Sequence, residues 1–190
     1  MTLVKTRRIG VITEDKSDFE TVQEIINRIP SKSQIILKKA FAKGCTRIPS
    51  KGKRMVADLN QKNCDGLIIV HDLDDNDYQK LMNTVLRVIR PCPIDDHIVI
   101  IPIRAIEAWL LTDMNAIQEV FNYTQSHIKE IPNTETIDKP KRHLQDLVRL
   151  RIRKRYLNTV HNSKIAARLD FSKALKCPSF LPLFNYIKNC

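Results

Sequence analysis

Residues 66–77 read GLIIVHDLDDND. A glycine and four apolar residues, three of them β-branched, form a short unbroken run closed by polar residues. That pattern predicts a strand covered on both faces, as in a parallel sheet between helices. The run passes directly into Asp72, Asp74 and Asp75. Beyond them, Tyr78, Leu81, Met82, Val85 and Ile89 recur at helical spacing over 77–90, and Asp77 can cap that helix. Ligands of parallel sheets bind beyond the carboxyl ends of the strands. The acids therefore stand where chemistry is expected.

Working outward, 8–13 (RIGVIT) predicts a buried strand ending at Glu14 and Asp15. Phe19, Val22, Ile25, Ile26 and Ile29 predict a helix over 18–29, with Ser17 and Glu20 as a capping box and Pro30 as its stop. A strand is predicted at 34–37, a helix at 50–61 and a fourth strand at 97–101. From 104 onward the chain reads as helical, with breaks at Pro132, Pro140, Pro178 and Pro182. The alternation gives an α/β fold: a parallel sheet of about four strands flanked by helices, with a helical C-terminal extension. A chain of 190 residues fits one domain with a sizeable core.

Composition narrows the function. Apolar residues make up 43% of the chain and recur throughout, which excludes a disordered chain. The longest apolar run, 98–103, contains Pro102 and is far too short to span a bilayer, which excludes a membrane protein. The N-terminus is basic but has no apolar stretch of the kind a secretory signal needs. Cys45, Cys64, Cys92, Cys177 and Cys190 are odd in number and lack C-x-x-C spacing, which excludes a zinc ribbon and predicts free thiols in a reducing cytoplasm. The net charge of +11 suggests a polyanionic partner. Its distribution says more: residues 38–62 and 139–155 each carry +7, while Asp65, Asp72, Asp74, Asp75 and Asp77 form a block of −5 between them.

Strand ends on one edge of a parallel sheet converge, so Glu14 should meet Asp72 and Asp74. Two carboxylates about 4 Å apart repel by roughly 4 kcal/mol at an effective dielectric of 20. Several together need protons or a cation, and a hard-oxygen set of this kind suits Mg²⁺ with substrate phosphates. An EF-hand loop from Asp72 fails, because Asp77 and Asn83 stand where Gly and Glu are required. A haloacid dehalogenase pair would follow the first strand. A glycosyltransferase D-x-D would leave both basic blocks unexplained. A receiver-like phosphoacceptor at Asp72 would lack its fifth-strand lysine and any use for Asp74.

VITEDKSDFE, then GLIIVHDLDD, then IPIRAIEAWLLTD and KPKRHL together resemble a Toprim domain. The third and fourth segments are similar to small stand-alone OLD-like Toprim proteins, usually found beside an ABC-type ATPase in bacterial defence loci. The resemblance covers most of 8–145. It implies a Toprim-like catalytic core over 1–125 and a basic helical extension over 126–190 packed on it. It implies a nuclease that uses Mg²⁺ or Mn²⁺, two ions in all, acts in antiphage defence and answers to an ATPase partner. Glu14 matches the Toprim glutamate, a metal ligand or general acid/base; Asp72 and Asp74 match the metal-binding D-x-D pair. Asp18 matches a second-metal acid, or is a first-turn residue favoured by the helix dipole. Glu107, in an otherwise apolar segment, matches the acid of the third motif. Lys141 matches a late lysine that stabilises charge on the transferring phosphate, or is one more surface lysine. Asp15 departs from the pattern, since many Toprim proteins have glycine there. The chain contains no G-x-x-x-x-G-K-S/T, so ATP hydrolysis would belong to a partner.

Nucleic-acid backbone contacts are predicted at Lys16, Lys51, Lys53 and Arg54, and at Arg149, Arg151, Arg153 and Arg155. The alternative for the arginines is a solvated helix or pairing with an acidic partner surface. If the arginine run is extended, these four share a face; if helical, they spread around the cylinder. Lys38, Lys39, Lys43 and Arg47 extend the first basic block, and Gly44 and Gly52 suggest a mobile loop near the active edge. Trp109, Tyr123, Tyr156 and Phe180 are expected in the core rather than stacked on bases. The competing class is a non-catalytic module that binds metal and either nucleic acid or a partner.

Overall fold

The structure is a computed structural model and describes residues 5–41 and 47–190. Residues 1–4 and the expectations for Lys43, Gly44 and Cys45 lie outside the described residues, as does the side chain of Arg47.

Strands β1 (Thr6–Thr13), β2 (Gln34–Phe41), β3 (Gly66–Val70) and β4 (His97–Ile100) form one all-parallel sheet in the order β2-β1-β3-β4. Helix α1 (Lys16–Arg28) joins β1 to β2, α2 (Arg47–Gln61) joins β2 to β3, and α3 (Tyr78–Ile89) joins β3 to β4. Successive side chains of a strand point to opposite faces. Ile9, Val11, Ile68 and Val70 accordingly enter one apolar cluster, with Val22, Ile25 and Ile26 of α1. Ile12, Leu67 and Ile69 enter the other, with Val56 and Leu59 of α2 and Leu81 and Val85 of α3. Gly10 lies where α2 crosses β1, and a Cβ there would stand 2.8 Å from Leu59 Cδ1.

Beyond β4 the chain runs through short helices: α4 (Glu107–Leu110), α5 (Met114–Val120), α6 (Pro140–Leu147), α7 (Asn158–Ala166), α8 (Phe171–Ala174) and α9 (Leu181–Asn189). Leu144, Ile165, Phe180 and Ile187 from this segment are fully buried in the same cluster as Ile9 and Val22, and α7 packs on α1. Trp109 is sealed from solvent, sits edge-on to Phe180 at 5.3 Å and donates from Nε1 to Ser179 Oγ at 2.8 Å. An aromatic pair of this kind contributes about 0.5–1.5 kcal/mol beyond its buried area. Tyr156 is buried as well. Among the described residues no helix is long and apolar enough to cross a membrane.

Two local expectations are corrected. The N-cap of α1 is Asp15, whose carboxylate accepts from the amides of Ser17 (2.7 Å) and Asp18 (3.1 Å); Ser17 lies inside the helix. An aspartate reaches those donors better than a serine already in helical conformation. Asp15 has φ −141°, an extended conformation, so the position makes no demand for glycine. Pro140 and Pro182 start helices instead of breaking them, since a proline in the first turn gives up no intrahelical hydrogen bond. Asp77 does cap α3, accepting from the Lys80 amide at 2.8 Å.

Candidate functional site

The strand order reverses direction between β1 and β3, since β2 lies outside β1 and β4 outside β3. A crevice opens at such a switch point, at the carboxyl ends of the strands. Glu14 follows the last residue of β1, and Asp72 stands two beyond the last of β3. The Asp72 amide donates to Glu14 Oε1 at 3.0 Å, which fastens the two strand ends together. His71 is buried between them, with Nδ1 2.9 Å from Glu14 Oε1 and 2.9 Å from the Asp72 carbonyl. Burial opposes a charged His71 ring, but its bond to Glu14, the Glu14 charge, the Asp72 carbonyl and the Asp74 charge outweigh it, and the pKa is raised.

Glu14, Asp18, Asp72, Asp74 and Glu107 all line one open cavity of about 670 Å³. They come from the end of β1, the first turn of α1, the loop after β3 and the start of α4. Burial, then the charges of Asp15, Glu107 and Glu14, push Asp18 up to about 8, against the hydrogen bond from the Asp15 amide. Burial, then Asp18, Glu107, Glu14 and Asp74, hold Asp72 well above the usual carboxylate range. Asp74 is raised by burial and by Glu14 and Asp75, against the pull of His71 and Lys141. These groups are mutually destabilised as anions.

The loop that carries Asp72 and Asp74 is clamped. Asp74 has φ +48° and Arg104 φ +65°, both in the left-handed region. Conformations of that kind persist where surrounding structure over-determines them. Here the Asp74 amide donates to the Arg104 carbonyl at 2.8 Å, and Arg104 Nη1 donates to the Asp74 carbonyl (3.2 Å) and Asp75 Oδ1 (2.9 Å). Arg104 Nη2 also pairs with Asp138 at 3.2 Å.

Glu107 is almost sealed, at 3% exposure, and its partners come from the C-terminal segment. Asn162 Nδ2 donates to Glu107 Oε1 at 3.0 Å, and Tyr156 Oη donates to Asn162 Oδ1 at 2.5 Å. Burial, then the Glu107 charge, drives the Tyr156 hydroxyl to a raised pKa, so it stays a donor.

Of the expected cationic residues, Lys141 and Arg149 line the cavity, beside Lys139, Arg142 and Arg104. Lys16 does not; it is exposed and pairs with Glu20 at 3.2 Å. Lys51, Lys53 and Arg54 are exposed on α2 and do not line the cavity either. Arg153 and Arg155 line an adjoining depression, while Arg151 is exposed and lines neither. His71, Asn162 and Tyr156 are the polar partners of the carboxylates that sequence reasoning missed. His71 had a signal, since it sits at the carboxyl end of a buried strand.

The donors are hard oxygens, which fits Mg²⁺ or Mn²⁺ by chemistry. Among the described residues, however, no three His, Cys, Asp or Glu side chains are disposed to hold an ion together. One oxygen each of Glu14, Asp72 and Glu107 is drawn away by Asp72 N, Ile106 N and Asn162 Nδ2. The other oxygen of each accepts no hydrogen bond among the described residues, and none is both buried and unpartnered. The arrangement orients one edge of each carboxylate and leaves the other available.

The fold and the cavity define an α/β protein with an acidic cluster at the switch point of a parallel sheet. The chain belongs to the family described as a domain of unknown function, DUF4276, which matches residues 13–188. No curated protein and no solved structure matches it.

Proposed function

We propose that the protein is a divalent-metal-dependent nuclease of the OLD-like Toprim type, cleaving phosphodiester bonds in DNA or RNA. The observation that carries the proposal is the convergence of Glu14, Asp18, Asp72, Asp74 and Glu107 on one cavity rimmed by Lys139, Lys141, Arg142 and Arg149. Carboxylates raised first by burial and then by their neighbours' charges call for a positive charge between them, and the cationic rim suits a phosphate.

Glu14, Asp72 and Asp74 would hold one ion, and Asp18 and Glu107 would complete a second position. Bound there, Mg²⁺ or Mn²⁺ would neutralise the carboxylates and supply Lewis-acid activation of the phosphodiester and of water. Lys141, near enough to Asp74 to oppose its raised pKa, would stabilise charge on the phosphate. Asn162 and Tyr156 orient Glu107, and His71 orients Glu14. A cytoplasmic role in antiphage defence, under control of an ABC-type ATPase, belongs to the same proposal.

The second reading is a non-catalytic metal-binding module that docks nucleic acid or a partner. The absence, among the described residues, of three side chains disposed around one point favours it. The test is to incubate the pure protein, alone and with an ABC-type ATPase, with plasmid DNA, single strands and transfer RNA in Mg²⁺ or Mn²⁺. Cleavage lost in Asp72→Ala and Asp74→Ala supports the nuclease. No cleavage in any condition, or cleavage unchanged in those variants, overturns it.

A further inference from the structure

The arginine run after α6 is neither a regular helix nor a strand. Val148–Ile152 form a π-helical turn, and Arg153 follows with φ +61° and ψ +33°. Left-handed backbone is unfavourable for arginine, and π turns often mark functional sites. The Lys154 amide closes the turn onto the Val148 carbonyl at 3.3 Å, and Lys154 Nζ is bound to the Phe121 carbonyl.

The turn separates the arginines. Arg149 lines the acidic cavity and also an adjoining depression of about 450 Å³, which Gln145 likewise shares. Arg153 and Arg155 line only the second depression, with Leu157 beside them. Arg149 and Arg142 both reach Asp146, at 3.0 and 3.7 Å, so that carboxylate is already engaged. Arg153 and Arg155 have no acidic partner among the described residues, although both are exposed. Two guanidiniums without an acidic partner among the described residues, one of them set by a strained turn, line one concave surface and suit a fixed anion better than bulk solvent.

We propose that this second depression is a phosphate subsite for the flank of a polynucleotide strand, continuous with the acidic cavity through Arg149. The substrate is then an extended strand that covers both depressions, not a mononucleotide held in the cavity alone. The inference rests on the acidic cavity being where a phosphodiester is handled, but its test needs no cleavage.

Binding of labelled single strands of about 3 and about 15 nucleotides is measured by fluorescence anisotropy in EDTA across a salt series, where each phosphate neutralised on a single strand contributes about −0.7 to the log–log slope. Arg153→Ala/Arg155→Ala should weaken the long strand by about tenfold or more and reduce its slope by about 1.4, leaving the short strand within about twofold. Arg153→Lys/Arg155→Lys keeps the charges and should restore most of the slope, which also covers the case in which the alanine pair fails to fold. Arg87→Ala/Arg90→Ala, the same charge change at the far end of α3, should leave both strands unaffected. An unchanged long-strand slope in the alanine pair, equal losses on both strands, or no strand binding at all would overturn the subsite. Length-dependent binding without cleavage in any condition would keep the subsite and reject the nuclease. Cleavage with an unchanged slope would do the reverse.

Discussion

Asn162 on α7 donates to Glu107 on α4 at 3.0 Å; Asn162 is fully buried and Glu107 is buried but for the edge that reaches the cavity. A buried carboxylate that loses its donor is left with its desolvation cost, about 1–3 kcal/mol. Asn162→Leu should therefore destabilise the protein by about that amount in urea unfolding and depress cleavage in Mg²⁺ as Glu107 loses its orientation. Asn162→Asp, which faces Glu107 with a second carboxylate, should be worse. An unchanged unfolding midpoint in Asn162→Leu would show that α7 does not support the site.

Stability should fall as pH rises when no divalent cation is present. Asp18 is raised from 3.8 to about 8, so the folded protein holds its proton where the unfolded chain has released it. The contribution is fully present below about pH 4 and is lost as pH passes through about 8. Asp72 and Asp74 are raised too, and His71 is raised with the same sign of effect. Asp18→Asn removes one such group. At pH 9 in EDTA it should be more stable than wild type by on the order of 2 kcal/mol, discounted for the group's partial solvent contact. Urea unfolding at pH 5 and pH 9 checks this; a variant less stable than wild type at pH 9 would contradict the electrostatics.

The Arg104 clamp should matter more for loop order than for global stability. Its ion pairs to Asp75 and Asp138 are largely solvent-exposed and worth at most about 1 kcal/mol. Arg104→Ala should shift the melting temperature little but speed amide exchange at Asp74 and Asn76. Arg104→Gly accepts the positive φ and should be more stable than Arg104→Ala by about 1 kcal/mol. Equal stability of the two would remove the backbone argument.

Gly10→Ala tests the fold itself. The added methyl would meet Leu59 Cδ1 at 2.8 Å and Leu59 Cβ at 3.3 Å, in a layer where Leu59 is fully buried. Overpacking of this kind costs about 1–3 kcal/mol. Differential scanning calorimetry should show a clear drop in melting temperature.

The sheet and the edge where the acids meet were legible in the sequence because both follow from local pattern. The GLIIV run forms β3 over the expected residues, Asp77 caps α3, and Glu14 and Asp72 meet once parallel pairing is inferred. The start of α1 was misplaced, since Asp15 and Ser17 are both good caps and only backbone conformation separates them. Asn162, Tyr156 and His71 were invisible as partners because each depends on contacts across the fold; Asn162 lies 55 residues from Glu107. The arginine run left helix and strand open, and the π turn with a left-handed Arg153 is neither. Composition records the charges but not the backbone strain that divides them between two depressions.

The central claim is that the carboxylate cluster is a divalent-cation site. Calorimetric titration of Mn²⁺ into the metal-free protein at pH 8 tests it most directly. The account predicts saturable binding, accompanied by proton release because the pKa values of Asp18 and Asp72 are raised when no cation is bound, and loss of binding in Asp72→Asn/Glu107→Gln. Absence of saturable heat in the wild type, or binding unchanged in that double variant, would contradict it.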